Sequence, residues 1–412
     1  LKARIGWKKI SGSQKLTVLE GKMYNLDVAV DRKNTKSVKY EEMDLNFGSN
    51  DMLPFWVADM DIKSPDFIIE SIISRARHGI FGYSKRMPEF YDSIINWLNT
   101  RHQLKVKREE IEYGPGVVFL LNMMIRKFTE PGDKIIIQSP VYYPFRRVAE
   151  GNKRIVSDNT LKLENGKYVM DFEDLKKRAE DPRCTMMILC SPHNPVGRVW
   201  NQEELKTLSK ICYENDVLLV SDEIHFDLVY KGHKHIPMLI AGEEYKENII
   251  LCTAPSKTFN IAGLHSAFCI IPDPDKMKAY KEELGLLDLN RSNVFSQEVT
   301  QAAYENGAHY VDRLVDFLEG NMNFANDYIT KNIKGIIPNK MEATYLMWLD
   351  CKGFGLNTQE LDDLFFRKAK IALDSGYWFG ETGKGFMRMN IACSRSMLEE
   401  GLERLARAVN KL

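Results

Sequence analysis

Four polar residues stand at positions that a folded chain can bring to one point: Asn194, Asp222, Lys257 and Arg388, separated by 28, 35 and 131 residues. Their types are complementary. A lysine amine can condense with a carbonyl group and can carry a proton. A carboxylate ending an apolar strand needs a buried cationic partner. An amide between prolines offers a directed donor, and a guanidinium flanked by apolar residues can grip a carboxylate with two parallel bonds. Together these are the needs of a pyridoxal 5'-phosphate (PLP) site. The lysine carries the cofactor as a Schiff base, the carboxylate keeps the ring nitrogen protonated, the amide donates to the phenolic oxygen, and the arginine takes the substrate carboxylate.

Each of these types also has a plainer use. Lysines are mostly solvated, Asp222 is a good helix N-cap, Asn194 before Pro195 makes a simple turn, and Arg388 can belong to a structural ion pair. The settings favour chemistry. Lys257 lies between Pro255 and an apolar-aromatic run, Asp222 follows Leu218-Leu219-Val220-Ser221, and Arg388 sits within Phe386-Met387-Arg388-Met389-Asn390. Gly116, Val117 and Val118 can present backbone N–H groups to a phosphate at a helix start, where the helix dipole favours an anion, and Ser256 adds a hydroxyl.

These residues need a scaffold that gathers strand ends. From Asp133 to Ile271 short β-rich runs alternate with helical ones, the pattern of parallel strands joined by helical crossovers. The clearest strands are 134–138, 186–190, 217–221, 249–253 and 268–271. Gln202 to Glu214 is helical, with Leu205, Leu208, Ile211 and Cys212 on one face. In such sheets ligands bind at the carboxyl ends of the strands, which selects Ser191 to Asn194, Asp222 to His225, and Ser256 with Lys257. Downstream, 296–325 is expected as one long helix, 344–350, 360–371 and 386–391 as a second α/β unit, and 397–409 as an amphipathic helix. The expected division is a large domain at 71–295 and a small domain built from both chain ends, 23–70 and 296–412. Residues 1–22 are read as a leader foreign to the fold, with a plausible start at Met23.

Bulk composition narrows the partners. The 412 residues suit two domains, and 44% apolar with 28% charged residues is ordinary for a globular enzyme. Lys plus Arg and Asp plus Glu number 57 each, so no net charge draws in nucleic acid or an acidic membrane. No apolar run approaches the ~20 residues of a membrane span. The seven cysteines are unpaired in spacing and lie mostly in apolar runs, as in a reducing compartment, and no metal-ligand spacing occurs. A cytoplasmic enzyme acting on a small molecule is expected.

Longer motifs sharpen this. Ser256-Lys257-Thr258-Phe259-Asn260, Pro192-His193-Asn194-Pro195 and Ser221-Asp222-Glu223-Ile224-His225 resemble the fold-type I aminotransferase family, and more closely its cystathionine β-lyase branch, the MalY/PatB group. Further matches are Trp56-Val57-Ala58-Asp59-Met60-Asp61, Phe81-Gly82-Tyr83, Gly114-Pro115-Gly116-Val117-Val118, Pro140-Val141-Tyr142-Tyr143-Pro144-Phe145 and Glu342-Ala343-Thr344-Tyr345-Leu346. The resemblance implies a PLP-dependent transferase fold of the aspartate aminotransferase type, a mostly parallel doubly wound α/β sheet plus a smaller α/β domain. It implies that Tyr142 stacks on the cofactor ring, with adjacent Tyr143 the alternative. His225 would stand near the phenolic oxygen, with a core histidine the alternative. The backbone at Ala58 would contact the substrate carboxylate, and Tyr83 would reach the phosphate of a neighbouring subunit in a homodimer with shared sites. Two departures from the broader family, Ala254 where a phosphate-binding serine often stands and His265 in place of an arginine, suit the lyase branch. The reaction implied is α,β-elimination from cystathionine, cysteine or another S-substituted cysteine to thiol, pyruvate and ammonia. The alternatives are an aminotransferase using the same residues and, from another class, a regulatory protein on the PLP fold, against which stands the lack of an appended DNA-binding domain or basic region.

Overall fold

The structure, a computed structural model, describes residues 24–412; the leader expected at 1–22 and the start at Met23 lie outside the described residues. Its main sheet has seven strands: Ile111–Gly114 (β1), Lys134–Ile137 (β2), Ile155–Asp158 (β3), Cys184–Cys190 (β4), Leu218–Asp222 (β5), Ile249–Thr253 (β6) and Ala267–Ile270 (β7). Their spatial order is β1-β7-β6-β5-β4-β2-β3. Side chains alternate across it: Met186, Ile188 and Cys190 enter one buried cluster, Met187 and Leu189 the other. Both faces are therefore covered, which is why these strands are unbroken apolar runs rather than alternating ones.

One strand departs from expectation. The segment around Phe268 does not continue the parallel series; β7 runs antiparallel to both β6 and β1. A parallel return needs a crossover, normally a helix. The connection from Thr253 to Ala267 holds only turns and the short 3-10 segment Ala262–Leu264, so the chain doubles back. The other pairings are parallel.

A second sheet comes from the last part of the chain: Ile337–Pro338 (β8), Leu346–Asp350 (β9), Asp374–Ser375 (β10) and Phe386–Asn390 (β11), antiparallel in the order β8-β9-β11-β10. Early chain joins late chain where Leu53–Pro54 pairs in parallel with Ile371–Ala372.

Among the helices that matter for the site are Val117–Phe128 (α1), Gln202–Glu214 (α2), Val294–Asn306 (α3), Ala308–Asn332 (α4) and Arg395–Val409 (α5). The predicted α2 has the predicted bounds because Asn201 and Glu204 form a reciprocal capping box at its start. The single helix expected over 296–325 is instead α3 and α4, which meet at Gly307. A Cβ there would lie 2.2 Å from the Ala303 carbonyl oxygen and 2.4 Å from the Phe259 ring. The chain bends at the one residue that lets it pass over Phe259, whose ring packs against Tyr304 and Tyr310 on either side of the break. No helix among the described residues is long and apolar enough to cross a membrane.

Candidate active site

Strand register sets the site. Cys190 stands opposite Asp222, and Asp222 opposite Cys252, so β4, β5 and β6 end nearly flush. The segments at that edge carry Asn194, Asp222 with His225, and Ser256 with Lys257. They open on a cavity of about 530 Å³, whose lining also includes Ala58, Gly116, Val117, Val118 and Tyr142. Residues spread over 200 positions of sequence thus share one space, as the strand-end rule requires.

Asp222 is buried, and one carboxylate oxygen accepts from the backbone N–H of Ile224 at 3.1 Å. No helix follows it, so it is not an N-cap. Burial pushes its carboxyl up to about 7, against the pull of that N–H and of Lys257. A carboxylate here stays charged only beside a cation, such as a protonated ring nitrogen. His225 is buried as well, with no hydrogen-bond partner at Nδ1. Burial, then the charges of Lys257 and Arg388, hold it down to about 3, so its imidazole is neutral and can meet an oxygen of either character.

The Lys257 amine donates to the Ala58 carbonyl at 2.6 Å. Burial lowers it to about 8; Asp59 and Asp222 oppose that fall and Arg388 adds to it. An amine poised there is neutral in a useful fraction near neutral pH, as a nucleophile or base must be. Its neighbour Ser256 is buried and lines the same cavity.

The start of α1 forms a part of the cavity lining suited to an anion. Gly116 has extended backbone, and a Cβ on it would meet nothing within 4 Å. The first-turn N–H groups that follow have no intrahelical acceptors and the positive end of the dipole behind them. At Gly114 the need for glycine is steric: a Cβ would come within 2.4 Å of the Leu120 side chain, so the residue lets α1 press against β1.

Asn194 is oriented by Arg388, whose Nη1 donates to Asn194 Oδ1 at 3.0 Å, leaving the amide N–H₂ as the donor group on the cavity side. Arg388 also donates to the Trp56 carbonyl at 3.1 Å and pairs with Asp374, directly opposite it across β10 and β11. Both members of this pair are buried, so Arg388 is in part the structural ion pair that is the plainer reading of its sequence. Its Nε has no partner, however, and one face of its guanidinium lies over Phe379 at 4.8 Å. Of the two adjacent tyrosines it is Tyr142 that lines the cavity, while Tyr143 is 36% exposed and turns toward Trp378 and Phe379. Tyr83 does not reach the cavity of its own chain: it is 94% exposed, with Arg291 over its ring at 5.2 Å.

Several participants carry no role in the sequence reading. Asp374 is one, although an acid inside Ile371-Ala372-Leu373-Asp374 signals a buried partner. Tyr345, in a recognised motif, donates to the Ala58 carbonyl at 2.9 Å beside Lys257. His265, noted only as a departure, lines the cavity with Ser266.

The donor set fits pyridoxal 5'-phosphate on the structure's own terms: an amine for the aldehyde, a buried carboxylate wanting a cation, an unpartnered buried imidazole nitrogen, and open space before unpaired helix N–H groups.

Comparison with known proteins agrees. Residues 42–405 match the model of the family aminotransferase class I and II. Cystathionine β-lyase PatB of Bacillus subtilis is 41% identical over 386 residues, 94% of this chain and 100% of that one. Protein MalY of Escherichia coli is 33% identical over 94% of this chain and 99% of its own. The PLP-bound C-S lyase of Staphylococcus hominis superposes with a TM-score of 0.89 at 31% identity, over 94% and 99% of the two chains. The chain belongs to the aminotransferase class I and II family, with the PLP-dependent fold of that family. Within it, the chain falls in the MalY/PatB branch, as its motifs imply.

Proposed function

We propose that this protein, a PLP-dependent carbon–sulfur β-lyase, acts on cystathionine, cysteine or another S-substituted cysteine and yields thiol, pyruvate and ammonia. The observation that carries the reading of the site is the convergence of the Lys257 amine and the Asp222 carboxylate on one cavity from neighbouring strand ends.

When bound, PLP supplies a ring that accepts the electron pair left when the substrate loses its α-proton. The chain's residues do the rest. Lys257 would hold the cofactor and, with a substrate bound, would take the α-proton at its Nζ. Asp222 would hold a proton on the ring nitrogen. Asn194 would donate to the phenolic oxygen, with neutral His225 beside it, and Tyr142 would pack on the ring face. Gly116, Val117, Val118 and Ser256 would hold the phosphate. Arg388, with Asn194 and the Ala58 backbone, orients the substrate carboxylate. As the α-proton leaves, the Cβ–S bond breaks, the thiolate takes a proton, and water added to the remaining three-carbon unit releases pyruvate and ammonium.

The same residues can return the proton elsewhere and transfer the amino group, so the test must read products. Purified protein with L-cystathionine should release pyruvate and thiol together, and Lys257→Ala should abolish both. Amino transfer to a keto acid without pyruvate would identify an aminotransferase instead.

We place a large cofactor-binding domain at 71–295 and a small domain at 23–70 and 296–412; the pairing of Leu53–Pro54 with Ile371–Ala372 supports this. We further place the enzyme in the cytoplasm, on the strength of seven free, buried cysteines. Exposed Ile80, Phe81 and Tyr83 support a homodimer in which Tyr83 serves the neighbouring site. Mixing Tyr83→Ala with Lys257→Ala chains should then restore activity to a pair of impaired variants; no recovery on exchange of subunits would refute the shared site.

A further inference from the structure

The segment Trp56 to Met60 has every backbone carbonyl taken by a side chain. Trp56 accepts from Arg388, Val57 from Asn390, Ala58 from both Lys257 and Tyr345, Asp59 from Asn390 and Lys39, and Met60 from Asn260 and Arg32. Such a loop is not free to drift, and at its centre is the carbonyl that receives the catalytic amine.

What clamps the segment from outside is a compact group of four charges. Arg32 forks onto both oxygens of Asp59, at 2.9 and 2.6 Å, and reaches Asp61 at 2.8 Å. Lys39, 1% exposed, donates to Asp61 at 2.6 Å and lies 3.7 Å from an Asp59 oxygen. Two cations face two anions, so the group is neutral as a whole and the removal of Arg32 or Lys39 leaves the charge of Asp59, the member that acts on Lys257, less compensated. Lys39 and Asp61 are buried and Arg32 and Asp59 half-buried, an arrangement that is expensive unless each charge is paired.

We propose that Asp59, clamped by Arg32 and Lys39, is a positioning residue for Lys257: it fixes the Ala58 carbonyl that docks the lysine amine and supplies the negative charge that faces it. The inference rests on the reading that Lys257 carries the cofactor. Held at Ala58, the amine stays in the cavity lining, where it can be reached by an aldehyde or an α-proton.

The charged and titratable groups around Lys257 come from several elements: Asp59 from the clamped segment, Asp222 from β5, Arg388 from β11, and His225, Tyr142 and Tyr345 from the surrounding loops. Of these, Asp59 does most to hold the proton on the lysine, and burial with Arg388 does most to remove it. Burial works to raise the Asp59 carboxyl, but the hydrogen bond from Arg32 and the charges of Lys39, Arg32 and Lys257 keep it below its ordinary value, so it is an anion across the working pH range.

The test measures capture of pyridoxal 5'-phosphate by the full cofactor-free chain, followed by the growth of the bound cofactor's visible band as a function of pH. Capture needs the unprotonated amine, so the rate should rise with a midpoint near pH 8, the position set for Lys257. Asp59→Asn removes the anion and should move the midpoint down by about one unit, whereas Arg32→Gln unmasks it and should move the midpoint up, by amounts typical of a single neighbouring charge. Opposite shifts are not what loss of a structural tether would produce. Tyr345→Phe keeps the charges but removes one of the two donors at Ala58, and should slow capture several-fold with the midpoint unmoved. Midpoints unchanged, or displaced the same way in Asp59→Asn and Arg32→Gln, would overturn the proposal. If Asp59→Asn fails to fold, Arg32→Gln and Tyr345→Phe decide it. Capture that survives Lys257→Ala would instead overturn the cofactor reading itself, a different failure from any of these.

Discussion

Consider the removal of Asp374. Its carboxylate and the Arg388 guanidinium are each only 2% exposed and face each other across two antiparallel strands. With the carboxylate gone, the cation keeps two neutral acceptors, Asn194 Oδ1 and the Trp56 carbonyl, and no counter-ion. Breaking one side of a buried pair leaves an uncompensated charge and costs about 3–5 kcal/mol. Arg388→Met leaves the opposite charge stranded and takes the donor from Asn194 as well, adding about 1–3 kcal/mol for a buried polar group without a partner. Replacing both, as Asp374→Leu with Arg388→Met, strands no charge and should fall short of the summed single losses by about 3 kcal/mol. Urea unfolding of the four proteins, followed by far-UV circular dichroism under one buffer condition, closes the cycle. The double variant should stay several kcal/mol less stable than wild type, because Asn194 Oδ1 and the Trp56 carbonyl lose their donor, and it should bind amino-acid substrates poorly where Arg388 has the carboxylate-binding role proposed for it. A double variant whose loss equals the sum of the singles within about 0.5 kcal/mol would refute the reasoning, since uncoupled sites add to that accuracy.

Three other outcomes are expected. Because the folded carboxyl of Asp222 sits near 7 and an unfolded one near ~4, the cofactor-free protein binds an extra proton only when folded; its stability should fall as pH rises from about 4 to about 7, by a few kcal/mol. Thermal unfolding across that range should show the slope flattened in Asp222→Asn. Gly307→Ala should destabilise by about 1–3 kcal/mol through overpacking against the Ala303 carbonyl and Phe259, and should weaken cofactor affinity because Phe259 lies two residues from Lys257; equilibrium unfolding and a cofactor titration check the two effects. The seven cysteines are all buried, and burial pushes up the thiols of Cys190, Cys252 and Cys269, so a thiol-specific reagent should find none of them in the folded, cofactor-loaded protein and all seven after denaturation.

Much of the candidate site was legible in order along the chain. Lys257, Asp222 and Asn194 stood out because each is a polar residue at or shortly after the end of an apolar strand, a local signal that burial makes costly to fake. Gln202–Glu214 was readable to the residue because its periodicity and its Asn201–Glu204 box are both local. What tertiary structure alone decided are the relations between distant segments. Only the register of β10 against β11 sets Asp374 on Arg388, and only the meeting of Arg388 with Asn194, 194 positions apart, fixes which way the amide points. Tyr142 and Tyr143 have the same composition and differ only in the side of the loop they take. The antiparallel turn of β7 and the break at Gly307 likewise come from what each segment packs against, a helix-free connection in one case and the Phe259 ring in the other. Periodicity and residue type report on a segment's own preferences; burial, register and buried charge are shared between segments, and they exist only once the chain has closed on itself.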